Sequence, residues 1–209
     1  MLTRRVAGYS SSLEKARAAL FAHLESNGIE YETIQHSPIF TVAEGREIKA
    51  TMPGRHTKNL FLRDKAKRLF LAVAHADTAV DLVALGKAMR AGIAAGREPG
   101  VRGRLSFGKP ETLLAVLGVR PGSVSPLALI NDPDHAVSHV WLDAALMAPA
   151  KSHGVEAARL WVHPLENTAS TAISPQGLRR FLESLRCAYS VVDLASPQAA
   201  EDEAGGSGV

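Results

Sequence analysis

One cysteine, Cys187, in 209 residues leaves nothing for an intramolecular disulfide, and with no CxxC pair there is no ready thiolate metal site or dithiol redox motif. Aromatic side chains make up only 5% of the chain, too few for the base-stacking surface of a protein that coats single-stranded nucleic acid. The segment beginning Met1-Leu2-Thr3-Arg4-Arg5 lacks the apolar run of a signal peptide. No stretch approaches the roughly 18 apolar residues of a membrane span. A soluble protein of the reducing cytoplasm, with no membrane partner, is the expectation.

Acidic residues are slightly outnumbered, for a formal net charge of +3. The tail from Ala195 onward holds Glu201, Asp202 and Glu203 and no Lys or Arg, so the rest of the chain carries about +6. That excess suits a polyanionic partner. The hydrophobic content of 46% is enough for one sizeable core, and the length is short for two ordinary domains. The expected organisation is a flexible terminus over residues 1–10, a single domain over 11–194 and a disordered tail over 195–209.

Ser11-x-x-Glu14 reads as a capping box that opens a helix over residues 12–27, with Leu13, Ala16, Leu20 and Leu24 on one face and Gly28 as the stop. Residues 29–34 alternate as a strand, and Thr41-x-x-Glu44 opens a short second helix. Two apolar runs, 58–63 and 68–74, flank a polar connection of hairpin length. A helical pattern covers 81–90, residues 92–103 form a Gly-rich loop, and Pro110 and Gly118 bracket a helix over 111–117. Strand-like runs follow at 127–130, 137–142, 155–162 and 169–173, then a helix from Ser174-Pro175 to near Arg186 and an edge strand over 189–194. Helices and strands interleave, with hairpins among them. This predicts an α+β (mixed α/β) fold around a mixed, largely antiparallel sheet rather than a doubly wound parallel one.

Several motifs weigh little. Residues 103–109 match the GxxxxGK half of a phosphate-binding loop, but Pro110 stands where the magnesium-binding hydroxyl belongs, and Leu105 and Phe107 are too bulky for a cradle. A strand entering a Pro-started helix accounts for them better. His135 and His139 have helical ligand spacing in a strand-like segment without HExxH, so no metal is expected there. No GxSxG elbow is present, and Cys187 falls inside the last helix without a neighbouring His.

Three polar loops carry more. Gly122-Ser123-Val124-Ser125-Pro126 can present successive backbone N–H groups to a carbonyl or oxyanion, although Pro121-Gly122 also makes an ordinary turn. Lys58, beside Asn59, places a cation at a strand head, where it could meet a phosphate or simply be solvated. His163-Pro164-Leu165-Glu166-Asn167 continues into Thr168, Ser170 and Thr171. That density of neutral hydrogen-bonding groups suits a small polar ligand or an Asn- and Thr-stabilised turn equally.

Taken with His36-Ser37-Pro38, the run from Lys58 to Lys65 and Ile130-Asn131-Asp132, these loops resemble the YbaK and prolyl-tRNA synthetase-associated editing domain family. Within it the stand-alone prolyl-tRNA editing group is most similar, over about residues 13–194. The resemblance implies deacylation of mischarged alanyl-tRNA(Pro) without metal or organic cofactor. The partners it implies are the acceptor end of tRNA(Pro) and, beyond it, prolyl-tRNA synthetase. Carried across, the family's functional lysine falls on Lys58, its GxxxP loop on Gly122, Ser123, Val124, Ser125 and Pro126, and its substrate-pocket histidine on His163. Asn59 and Asn167 match adjoining substrate-binding positions. The chain departs from the family pattern at residues 94–102, where the loop is longer, and at Leu127-Ala128, where an aromatic-glycine pair is common. Cysteinyl-tRNA(Pro) hydrolysis and a non-catalytic tRNA- or synthetase-binding module are the alternatives.

Overall fold

The computed structural model describes residues 2–38, 51–94, 100–149 and 159–195. Among them eight strands form one mixed sheet. In chain order the elements are α1 (Leu2–Ser26), β1 (Tyr31–Gln35), β2 (Arg55–Arg63), β3 (Leu69–His75), α2 (Leu82–Ala94), β4 (Ser106–Phe107) and α3 (Pro110–Leu117). A 3-10 helix (Pro126–Asn131) follows, then β5 (Val137–Asp143), α4 (Ala144–Met147), β6 (Leu160–Val162), β7 (Ala169–Ile173), α5 (Pro175–Ser184) and β8 (Tyr189–Val192). The sheet runs β1-β7-β6-β2-β3-β5-β8, with β4 added to the end of β2. The β1/β7, β6/β7, β2/β3 and β2/β4 pairs are antiparallel, and β2/β6, β3/β5 and β5/β8 are parallel. The expected fold class is the one observed.

Strand alternation divides the core. Leu69, Leu71 and Val73 of β3 face a cluster with Leu20 and Leu24 of α1, Leu113 and Leu117 of α3, Leu127 and Leu129 of the 3-10 helix and Phe181 of α5. Phe70, Ala72 and Ala74 face the other way, against Trp141, Leu85 of α2, Val101 and Leu105. Phe70 and Trp141 stack with centroids 4.8 Å apart. The i, i+4 spacing of Leu20 and Leu24 delivers two fully buried side chains from α1, each contributing about 1.5–3 kcal/mol of burial.

Four local expectations need correction. α1 starts at Leu2, nine residues ahead of Ser11 of the capping box, because no proline interrupts Leu2–Ser11 and a single glycine, Gly8, and the serines are tolerated within a helix. α2 continues to Ala94, past the expected end at Arg90 and into the stretch read as a Gly-rich loop. Cys187 follows α5 in the turn to β8, its N–H donating to Leu182 O, and burial followed by the charge of Asp132 pushes its thiol up to about 11. The run 127–130 is a 3-10 helix rather than a strand. Pro126 sets the helical φ at its start, and the Ser125 hydroxyl caps it by accepting the Leu127 N–H at 3.2 Å. The helix expected from Thr41, residues 155–158 of one expected strand, the core of the lengthened loop and the tail beyond 195 lie outside the described residues.

Candidate functional site

β2 supplies the first pair of site residues. Its start is anchored by the Arg55 guanidinium, which donates to Leu146 O and Ala148 O at 2.7 Å each and to Pro149 O at 3.1 Å. The parallel register with β6 sets Arg55 beside Leu160 and His56 beside Trp161. Extended two residues beyond its last pair, that register would set Lys58 opposite His163, the residue that follows β6. Both then lie on the face where His56 stacks on Trp161 at 6.4 Å. Asn59 points to the opposite face.

Among the described residues the edge of β2 is open at this point. His56 pairs across to Ala76 on the β3 side, whereas Arg55 N–H donates to Arg159 O and Phe61 O accepts from Gly108 N–H on the other side. Odd-numbered residues of β2 therefore direct their backbone groups toward β6 and β4. β6 ends at Val162 and β4 pairs only at Leu62 and Arg63. Among the described residues no strand covers residues 58–60 on that side.

The GxxxP loop comes to this opening. Asn59 Nδ2 donates to Val124 O at 2.8 Å, and a Cβ on Gly122 would lie 3.9 Å from Asn167 Nδ2. A turn starts the loop: Ser123 N–H donates to Arg120 O at 3.0 Å, with Gly122 at φ +92° where that turn demands a left-handed residue. Both serine side chains are buried, and the Ser125 hydroxyl is committed to its cap. Asn131 and Asp132 are structural supports: Asn131 Nδ2 donates to Leu117 O, and Asp132 accepts the Ala136 and Val137 N–H groups. Asn59 Oδ1 is buried and accepts no hydrogen bond from the described residues.

The β6–β7 connection is pinned at several points. His163 Nδ1–H donates to Ala169 O at 3.1 Å, His36 N–H donates to Thr168 O, and Glu166 pairs with Arg17 of α1 at 2.5 Å. Leu165 holds φ +71° while fully buried in the core, the kind of strain that surrounding structure must enforce. Burial lowers the pKa of His163 from its ordinary value; the Ala169 carbonyl opposes this, and nearby His36 adds to it. The ring is therefore neutral at pH 7, with Nε2 available as an acceptor.

Two groups result. Asn59, Gly122, Val124 and Asn167 meet around the loop, while the β2/β6 register, extended past its last pair, directs Lys58 and His163 to the other face of the sheet. Adjacent positions 58 and 59 join them. Missing from the sequence-based set is His36, whose Nε2 lies 2.9 Å from Ser170 Oγ and which acts on His163 through space. In sequence His36-Ser37-Pro38 counts toward the family resemblance, and nothing local marks its proximity to a residue more than a hundred positions away.

Residues 36–181 match the aminoacyl-tRNA editing domain family model. A zebrafish (Danio rerio) protein, prolyl-tRNA synthetase associated domain-containing protein 1, is 35% identical over 80% of this chain and 81% of its own length. The prolyl-tRNA editing protein ProX of Acetoanaerobium sticklandii is 29% identical over 86% of this chain and 98% of its own. A solved structure described as a candidate trans-editing enzyme for prolyl tRNA synthetase superposes with a TM-score of 0.57 at 18% identity. It covers 86% of this chain and 96% of that one, a likeness of fold.

Proposed function

The chain belongs to the aminoacyl-tRNA editing domain family, and from that premise we propose that it hydrolyses mischarged alanyl-tRNA(Pro) in trans while sparing prolyl-tRNA(Pro). The observation that carries the reading is the Asn59 Nδ2 donation to Val124 O, which brings the GxxxP loop to the edge of β2 beside Lys58; the direction of the β2/β6 register toward His163 supports it. An aminoacyl ester laid across that edge can meet both groups at once.

In this reading Lys58 holds the phosphate of the terminal adenosine. Ser123 N–H is spent on the turn, so the amides of Gly122, Val124 and Ser125 receive the ester carbonyl as negative charge develops on it. Asn59 Oδ1 accepts from the substrate α-ammonium. Neutral His163 offers Nε2 at the wall of the amino-acid pocket. Water attacks, with the neighbouring ribose hydroxyl carrying the proton, and positioning with charge stabilisation supplies most of the rate. Proline is turned away by size, the sieve that editing uses where binding alone separates small apolar side chains poorly. The reaction needs no metal or organic cofactor, so turnover persists in excess chelator.

Deacylation of alanyl-, cysteinyl-, seryl- and prolyl-tRNA(Pro) by the purified protein tests the proposal. The alanyl ester should be cleaved fastest and the prolyl ester spared. Fastest cleavage of the cysteinyl ester would reassign the substrate, and salt-dependent tRNA binding without any cleavage would make the protein a binding module.

A further inference from the structure

Residues 103–109 do not form a phosphate cradle, since Leu105 is buried in the core and Ser106 and Phe107 are β4. Phe107 is nevertheless the most exposed large hydrophobic residue described, at 62%. It pairs with Leu62, which places it on the face of β2 that also carries Leu60 and Lys58. Four residues of strand separate Leu62 from Lys58, about 13 Å, or roughly four stacked nucleotides of single strand.

The surroundings are basic. Residues 100–110 include Arg102, Arg104 and Lys109 and no Asp or Glu, and all three basic residues are exposed. The side chain of Lys65 packs over Gly103, where a Cβ would fall 2.8 Å from Lys65 Cβ. Arg17, Arg68 and Arg159 are neutralised by acids, whereas Lys65, Arg102, Arg104 and Lys109 make no ion pair among the described residues. The nearest acids are Asp64, buried under Arg68 and the Arg102 N–H, and Glu111 in the first turn of α3. The Asp64 contacts also fix the strip in place. A protein partner would find one aromatic ring flanked by cations; a nucleic acid finds a stacking surface with phosphate partners on both sides.

We propose that Phe107 stacks a base of the unpaired 3′ end of the tRNA, with Arg104 and Lys109 contacting the phosphates that flank it. The placement rests on the editing reading, in which the terminal adenosine lies at Lys58. The test is anisotropy binding of a tRNA(Pro) transcript, intact and with its unpaired 3′ nucleotides removed. The native protein should bind the intact RNA more tightly. Phe107→Ala should weaken that binding roughly five- to 150-fold and abolish the preference, and Phe107→Trp should restore both. Arg104→Ala and Lys109→Ala should each reduce the slope of log K against log salt by about one. Identical behaviour of the native and Phe107→Ala proteins toward both RNAs would overturn the proposal, whatever the hydrolysis assay shows. A loss of hydrolysis by Phe107→Ala that is equally large on an alanyl ester of adenosine, which has no adjoining base, would overturn it too. Intact-end binding without hydrolysis in the native protein would leave it standing and remove the deacylase reading.

Discussion

In the proposed reaction Lys58 and His163 divide the work by charge. Lys58 is a half-buried strand residue without an acid partner among the described residues, so Lys58→Ala should abolish deacylation while changing the unfolding free energy measured in urea by less than about 1 kcal/mol. Parallel loss of fold and activity would assign it a structural role instead. For His163 the direction of the pKa shift sets the pH profile. Because burial lowers it, kcat/KM should stay level from pH 8 down past the ordinary histidine value near 6.5 and decline only on further acidification. His163→Gln should remove that acid limb. An unchanged limb in the variant would take His163 out of the mechanism.

At the scale of elements, much of the fold is legible from local pattern. The 58–74 hairpin, the Pro110 start and Gly118 stop of α3, and β7 at its expected bounds all follow from periodicity and turn residues. The strand assigned to 127–130 failed because four consecutive apolar residues carry no period. The deciding groups were the Ser125 cap and Pro126, both upstream of the run. The site was legible as separate loops but not as an assembly. Lys58 and His163 are related only through the parallel pairing of β2 with β6 at Arg55–Leu160 and His56–Trp161, and a parallel register between segments a hundred residues apart leaves no local trace. Gly108 tests how tightly β4 is joined to β2. A Cβ there would come within 2.3 Å of the Phe61 ring, so Gly108→Ala should displace a core side chain, cost about 1–3 kcal/mol and lower Tm by several degrees in a thermal melt.

Across the whole molecule, acid stability should fall in stages. Burial lowers the pKa of His139 to about 4 while its Nε2 lies 3.0 Å from Ser190 Oγ. The unfolded chain, titrating near 6.5, therefore binds the extra proton first. Stability is complete above about pH 6.5 and falls by about 1.4 kcal/mol per pH unit for this group until the pH reaches about 4. Asp64 acts lower. Burial alone would raise its pKa, but the Arg102 N–H and the Arg68 contacts outweigh that and hold it below the ordinary aspartate value of 3.8. Its contribution is present above that value and is lost as the pH falls through the folded pKa. Urea midpoints between pH 7 and 4.5 should show a shallower decline in His139→Gln, by roughly one proton's worth of slope. An identical slope would mean that the buried ring is not the titrating group.

The opening along β2 also bears on solubility. Unpaired strand edges invite pairing with other chains, and proteins usually shield them with charge, proline or a covering segment. Among the described residues the interruption sits between β6 and β4, and there only residue 59 directs its N–H and C=O outward, because residue 57 faces β6 and residue 61 is bonded to Gly108. A foreign strand needs several consecutive partners to gain a foothold, and one is too few to template aggregation. A gap this short can stay open to a small ester without acting as a seed for self-association.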